Sequence, residues 1–171
     1  MVSPDPSTET YWRLLAIGLD PDQRDPQLYG LIFEGETDVP LMIDGRIALF
    51  VDPKRAAALV QQYGAPADKI DVDRPFFWCD VAQALYLLSA GGIDHGTAVL
   101  DAVNALLTLV AATGLEMIDS RRRALHDIAN YCTTSKDLTK YLEEVGDHSS
   151  RELIDAVLWC VGAVTVKSRI V

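Results

Sequence analysis

"VPLMIDGRIALFVDPKRAAALVQQYG", residues 39–64, changes character in its middle, and the fold class turns on that change. Its first half holds two apolar runs on either side of Asp44-Gly45. Such a dipeptide between apolar segments predicts a tight hairpin, because both turn positions want positive φ. The second half opens at Asp52-Pro53. Asp52 suits an N-cap, where its carboxylate accepts a free backbone N–H, and Pro53 suits the first helical position, where a missing N–H costs nothing. Beyond it Ala56, Leu59, Val60 and Tyr63 fall on one helical face, and Gly64 is placed to end the helix. This helix is expected to lie on the sheet that the strands before it form.

Reading upstream, "YWRLLAIGL" (11–19) and "LYGLIFEG" (28–35) are apolar runs separated by "DPDQRDP", where Pro21 and Pro26 keep the chain out of regular structure. With the hairpin they predict an N-terminal antiparallel sheet of three to four strands. Residues 1–9 read as a mobile tail, and the first ten residues lack the basic and apolar regions of a signal peptide.

Downstream of Pro75 the pattern is mostly helical, with about five helices expected. One spans residues 75–90 and stops at Gly91-Gly92. The next runs over 95–113, capped by Asp94 and ended by Gly114. Ser120 is read as the cap of a helix through Asn130, and Ser135 as the cap of another through Val145, with Gly146 at its end. Ser149 and Glu152 form the S-x-x-E pattern of a capping box before a final apolar run. Residues 164–171 suit either helix continuation or a last strand rejoining the sheet. Together these features predict one α+β domain over 10–171, with a β-rich lobe over 10–64 and a helical lobe over 75–171.

"DRPFFWCDVAQAL" (73–85) is read here as the entry of the second helix. Phe77, Val81, Ala84 and Leu88 then form one stripe, leaving Asp80 and Gln83 on a narrow polar strip. The third helix repeats the pattern: Val99, Val103, Leu106 and Val110 form the stripe, and only Asp101, Asn104 and Thr108 face away. No Lys or Arg occurs from Pro75 to Ser120. Helices this apolar must be covered on more than one side. The pair is expected to form a hairpin at the centre of the fold or at an interface of a homo-oligomer, with Phe76, Trp78 and Leu107 as interface residues.

Composition narrows the function classes. In 171 residues, 15 Lys and Arg face 25 Asp and Glu, for a formal net charge of −10. Phosphate backbones would be repelled, so no nucleic-acid partner is expected. The one local reversal, Arg121 to Arg123, reads as a solvated helix face or as partners for acidic neighbours. No apolar run reaches the length of a membrane span, and no membrane role is expected. The three cysteines, at 79, 132 and 160, show no CxxC spacing. That speaks against a disulfide framework or a zinc site and for a reducing cytoplasm. Cys79 reads as a small core residue.

The motifs of catalysis are not matched. "SAGGIDHG" has neither a phosphate-loop nor a dinucleotide spacing. Asp68, Asp71 and Asp73 miss the pattern of a calcium loop. The partners of His126 at four residues' distance, Arg122 and Asn130, are poor metal ligands. No catalytic residue, metal or cofactor is therefore expected. Two function classes remain. The first is a small acidic non-enzymatic interaction domain (an inhibitor, an immunity-like protein or an assembly component) whose charge steers a basic protein partner. The second is a small-molecule-binding protein or enzyme with a pocket between sheet and helices, using Asp80, His95 and Asp101 as its ligand-binding groups.

Overall fold

A computed structural model describes residues 11–62 and 70–171. Its elements run β1 (Tyr11–Gly18), β2 (Leu28–Glu34), β3 (Val39–Pro40), β4 (Met42–Ile43), β5 (Arg46–Phe50), α1 (Pro53–Gln62), β6 (Phe77–Asp80), α2 (Val81–Ala90), α3 (Ala98–Thr113), α4 (Asp119–Thr134), α5 (Leu138–Lys167) and β7 (Ser168–Ile170). The chain is α+β, a mostly antiparallel sheet with one helix followed by a mostly helical half.

The hairpin forms where the sequence places it. Asp44 and Gly45 have φ of 52° and 72°, and Ile43 pairs with Arg46 across them. At the next junction the Asp52 carboxylate accepts the Lys54 N–H at 2.9 Å, and Pro53 opens α1. Ala56 and Val60 of α1 are fully buried against the sheet. Tyr63 and Gly64, read as the end of this helix, lie outside the described residues, as do the N-terminal tail and Asp68.

The sheet is covered on both faces, and strand alternation sorts its side chains. Leu14, Leu31, Ala48 and Phe50 pack with α1 on one face. Leu15, Ile17, Ile32, Ile47 and Leu49 pack with helices α2 to α5 on the other. β1, flanked by β2 and β6, has residues 14 to 17 all at most 5% exposed. At the centre of the helical layer lies α3, whose stripe Val99, Val103, Leu106 and Val110 is buried as its spacing requires.

Four readings are corrected. Residues 77–80 are a strand, not the first turn of α2: they pair in parallel with β1, Leu15 opposite Phe77 through Gly18 opposite Asp80. Helix α2 starts at Val81 because the Asp80 carboxylate accepts the Gln83 N–H at 2.9 Å. The three-residue spacing that reads as a polar helical strip is that of an N-cap. Helix α4 begins at Asp119 and runs on to Thr134. Helix α5 is capped by Asp137, which accepts the Lys140 N–H at 3.1 Å; Ser135 donates instead to the Tyr131 hydroxyl. One helix ends at Gly146 (φ 77°, ψ 168°), where the sequence places its end, and the next is already helical over residues 147–150, so it opens ahead of the S-x-x-E pattern rather than at Ser149. Residues 75–171 thus hold five helical segments, α5 being two helices joined at Gly146, the number that the sequence predicts.

The C-terminus does both things its sequence allows. Helix α5 continues to Lys167, and β7 then pairs in parallel with β5. Asp94 reaches over residues 95–97 to accept the Val99 N–H at 3.1 Å, so it caps α3 although the helix opens only at Ala98. Among the described residues no helix is long and apolar enough to cross a membrane.

Candidate functional site

The polar strip of α3, with Asn104 exposed and Asp101 and Thr108 half-buried, does not stand alone on the surface. It forms one wall of a cleft of about 520 Å³ between that helix and the β1–β6 edge of the sheet. Asp101, Asn104 and Thr108 recur at helical spacing along this wall, with Leu107 beside them. The opposite wall is aromatic: Phe76, Phe77 and Trp78, three consecutive residues at the start of β6. Leu15 and Ile32 supply an apolar floor, and Asp38, between β2 and β3, adds a second carboxylate. A concave site with aromatic walls and a few polar groups has the usual composition of a ligand site.

Local hydrogen bonds and pairing fix these side chains. The Phe76 N–H donates to the Leu14 carbonyl at 2.9 Å, extending the β1–β6 ladder by one residue. The Thr97 hydroxyl donates to one Asp101 carboxylate oxygen and holds that side chain on the first turn of α3. Phe76 and Trp78 remain 56% and 37% exposed, large values for rings beside a cleft. The Arg13 guanidinium carbon lies 4.3 Å from the Phe76 ring centroid, while its Nε donates to Glu34 at 2.8 Å. One face of this aromatic group thus already holds a cation, the contact that ring quadrupoles favour.

The structure brings some of the expected site residues together and separates others. Asp101 lines the cleft, and so do Phe76, Trp78 and Leu107. Asp80 lies at the far end of β6 as the cap of α2, and His95 is exposed on the loop before α3. Asp38 and Phe77 belong to the cleft although no local pattern marks them. Of the arginine run, Arg122 lies 3.9 Å from Asp119 and Arg121 sits over the Trp159 ring at 6.0 Å, so both have partners within the fold. The Asp71 carboxylate accepts the N–H groups of Asp73 and Arg74, which gives it a turn role. Among the described residues no three His, Cys, Asp or Glu side chains are grouped to hold a metal ion.

The three thiols are free and buried. Burial pushes Cys79 up to about 12, with the nearby carboxylates of Asp80 and Asp101 adding to it. Burial likewise pushes Cys132 and Cys160 up to about 11. A thiol that stays protonated at neutral pH is a poor nucleophile. The same shift has a consequence for stability. The unfolded Cys79 loses its proton near 9.0 while the folded one keeps it to about 12. Between those values the unfolded chain binds fewer protons, so stability is unaffected below pH 9 and falls as pH rises above it. By pH 10 Cys79 alone is expected to have withdrawn on the order of 1 kcal/mol, with Cys132 and Cys160 acting in the same direction. Urea unfolding at pH 8, 9 and 10 checks this. A flat profile, or a Cys79→Ala variant as alkali-sensitive as the parent, contradicts it.

No protein-family model, curated protein or solved structure matches this chain.

Proposed function

We propose that this chain is a non-enzymatic interaction domain that takes a cationic segment of a partner protein into the cleft between α3 and β6. One observation carries the reading: exposed Phe76 and Trp78 stand beside Asp38 and Asp101 in a single cleft. Aromatic faces attract an ammonium or guanidinium group, and a carboxylate at the same place neutralises it. The cleft also belongs largely to the stretch 75–120, which holds no Lys or Arg, in a chain of net charge −10. A field of one sign accelerates encounter with a partner of the opposite sign. The protonated, buried thiols favour binding over covalent chemistry and suit a reducing cytoplasm.

The test is a fluorescence titration, with Trp78 as the reporter, using short peptides in which Lys or Arg flanks an aliphatic or aromatic residue. Binding is expected to be saturable and to weaken as salt rises. A variant carrying Asp38→Asn and Asp101→Asn together is expected to lose roughly tenfold in affinity. Equal binding of peptides with Glu in place of Lys or Arg sinks the reading, as does the absence of saturable binding by any cationic peptide.

A further inference from the structure

A second cavity, of about 320 Å³, lies on the other side of α3 and shares no residue with the cleft. Its inner end is made by Ile17 and Cys79 of the sheet with Leu106 and Leu109 of α3, all at most 5% exposed. Val161 and Val164 of α5 close one side. Its mouth is different. There Thr165, Ser168 and Arg169, where α5 passes into β7, stand beside the exposed Leu19 and Ile170.

Water is a poor filler for the inner part. An ordered water needs two to four polar partners. The two hydroxyls available already donate to carbonyls of α5: Thr165 to Val161 at 2.7 Å, and Ser168 to Thr165 at 3.3 Å. The remaining inner lining is aliphatic apart from the Cys79 thiol, which lies 3.8 Å from the Ala102 carbonyl. Interiors are otherwise close-packed, so an apolar space of this size fits an apolar chain. At the mouth Arg169 carries the charge. Its Nη1 lies 2.8 Å from the Asp44 carboxylate, and the side chain is 41% exposed. A guanidinium has five N–H donors in a rigid fork, so the Asp44 contact orients it and leaves donors for a second anion.

We infer that this cavity binds a single-chain aliphatic carboxylate, with the tail among Ile17, Leu106 and Leu109 and the carboxylate at Arg169. The volume stands at the lower end of ligand sites, which suits one medium-length chain and not a two-chain lipid.

Calorimetric titration with octanoate, decanoate and dodecanoate below their micelle concentrations, and with decanol as a neutral control, tests it. One site per chain is expected. Affinity should rise about fourfold for each added methylene until the cavity is full. Arg169→Gln, on the surface, is expected to weaken decanoate about tenfold while leaving decanol unchanged. Leu106→Phe, which narrows the inner end, is expected to weaken both. Four results would overturn the inference: no saturable binding, several sites with no ceiling in chain length, an Arg169→Gln variant that binds decanoate as the parent does, or a folded Leu106→Phe variant that binds both ligands as the parent does. Because Arg169→Gln removes only an exposed ion pair, the variant remains folded and the comparison stands even if Leu106→Phe does not.

Discussion

Replacing Gly91 by alanine is expected to lower the unfolding free energy by about 3 kcal/mol, combining backbone strain with a steric clash. Gly91 follows α2 with φ 72° and ψ −164°, a conformation open to glycine and strained for any residue with a Cβ. An added Cβ would also lie 2.8 Å from the Thr139 hydroxyl oxygen and 3.2 Å from the Thr139 Cα. The hydroxyl could turn away, but the backbone could not. The two segments are moreover stitched together at this place. Gly92 donates to the Thr139 hydroxyl at 2.8 Å, Leu138 donates to the Gly92 carbonyl at 2.9 Å, and Asp94 donates to the Lys136 carbonyl at 2.8 Å. Pushing Gly91 off Thr139 strains all three. Urea unfolding measures the loss, and hydrogen exchange should show the amides of Gly92, Asp94 and Leu138 losing protection first. Thr139→Ala in the Gly91→Ala background should recover part of the loss, because it removes the nearest atom. It should not recover all of it, because Cα and the positive φ remain. A Gly91→Ala protein within about 0.5 kcal/mol of the parent would show that this junction yields more easily than its geometry implies.

The junction also marks where sequence reading works and where it does not. Features set by neighbouring residues are legible. The turn at Asp44-Gly45, the cap at Asp52 and the left-handed Gly114 at the end of α3 each follow from the conformational demands of one or two residues. Strand β6 is not legible in that way. It is four residues long, and its partner β1 lies about sixty residues earlier, so the pairing leaves no local trace. Its alternation is hidden too, since Phe77 and Cys79 pack on the core while Phe76 and Trp78 stay exposed. Phe76-Phe77-Trp78-Cys79 is nonetheless a run of residues suited to a pleated surface. Followed by Asp80 and Gln83, it is a strand with a capped helix behind it. The C-terminal strand β7 is short for the same reason and depends on β5 to exist.

The cleft was half legible. Asp101, Asn104 and Thr108 stand out as the minority face of α3. Whether such a face meets solvent or a cleft depends on what stands opposite, here three aromatic residues of β6. Asp38 carries no signal in its own surroundings, because only the course of the chain between β2 and β3 brings it to α3. Asp80 and His95 were attractive as isolated titratable groups near apolar helices. The fold gives the first a capping bond and leaves the second on an exposed loop.

Adjacent residues on α3 offer the second large test, since the cleft wall and the core differ by one position. Leu107 lines the cleft, half-buried, and Leu106 is 3% exposed within the core. Leu106→Lys is expected to unfold the domain, because it places a charge without a partner among aliphatic side chains. Leu107→Lys and Trp78→Lys are expected to leave it folded. The backbone of Trp78 pairs with Ala16 whatever side chain it bears, and its ring is 37% exposed. Their effect should fall on binding. A tryptophan at the centre of an interface typically contributes 2 kcal/mol or more, and a lysine in its place repels a cationic ligand. Trp78→Lys is therefore expected to weaken the cationic peptides about a hundredfold. Trp78→Phe, which keeps an aromatic face, should remain within about tenfold of the parent. Circular dichroism and thermal unfolding establish the fold of each variant; titration, followed through a dye on the peptide, gives the affinity. If Trp78→Lys binds as the parent does, the aromatic wall is not the recognition surface. If Trp78→Lys instead fails to fold while Leu107→Lys folds and binds normally, the ring belongs to the structure of the β6 edge and the cleft loses its claim to a partner.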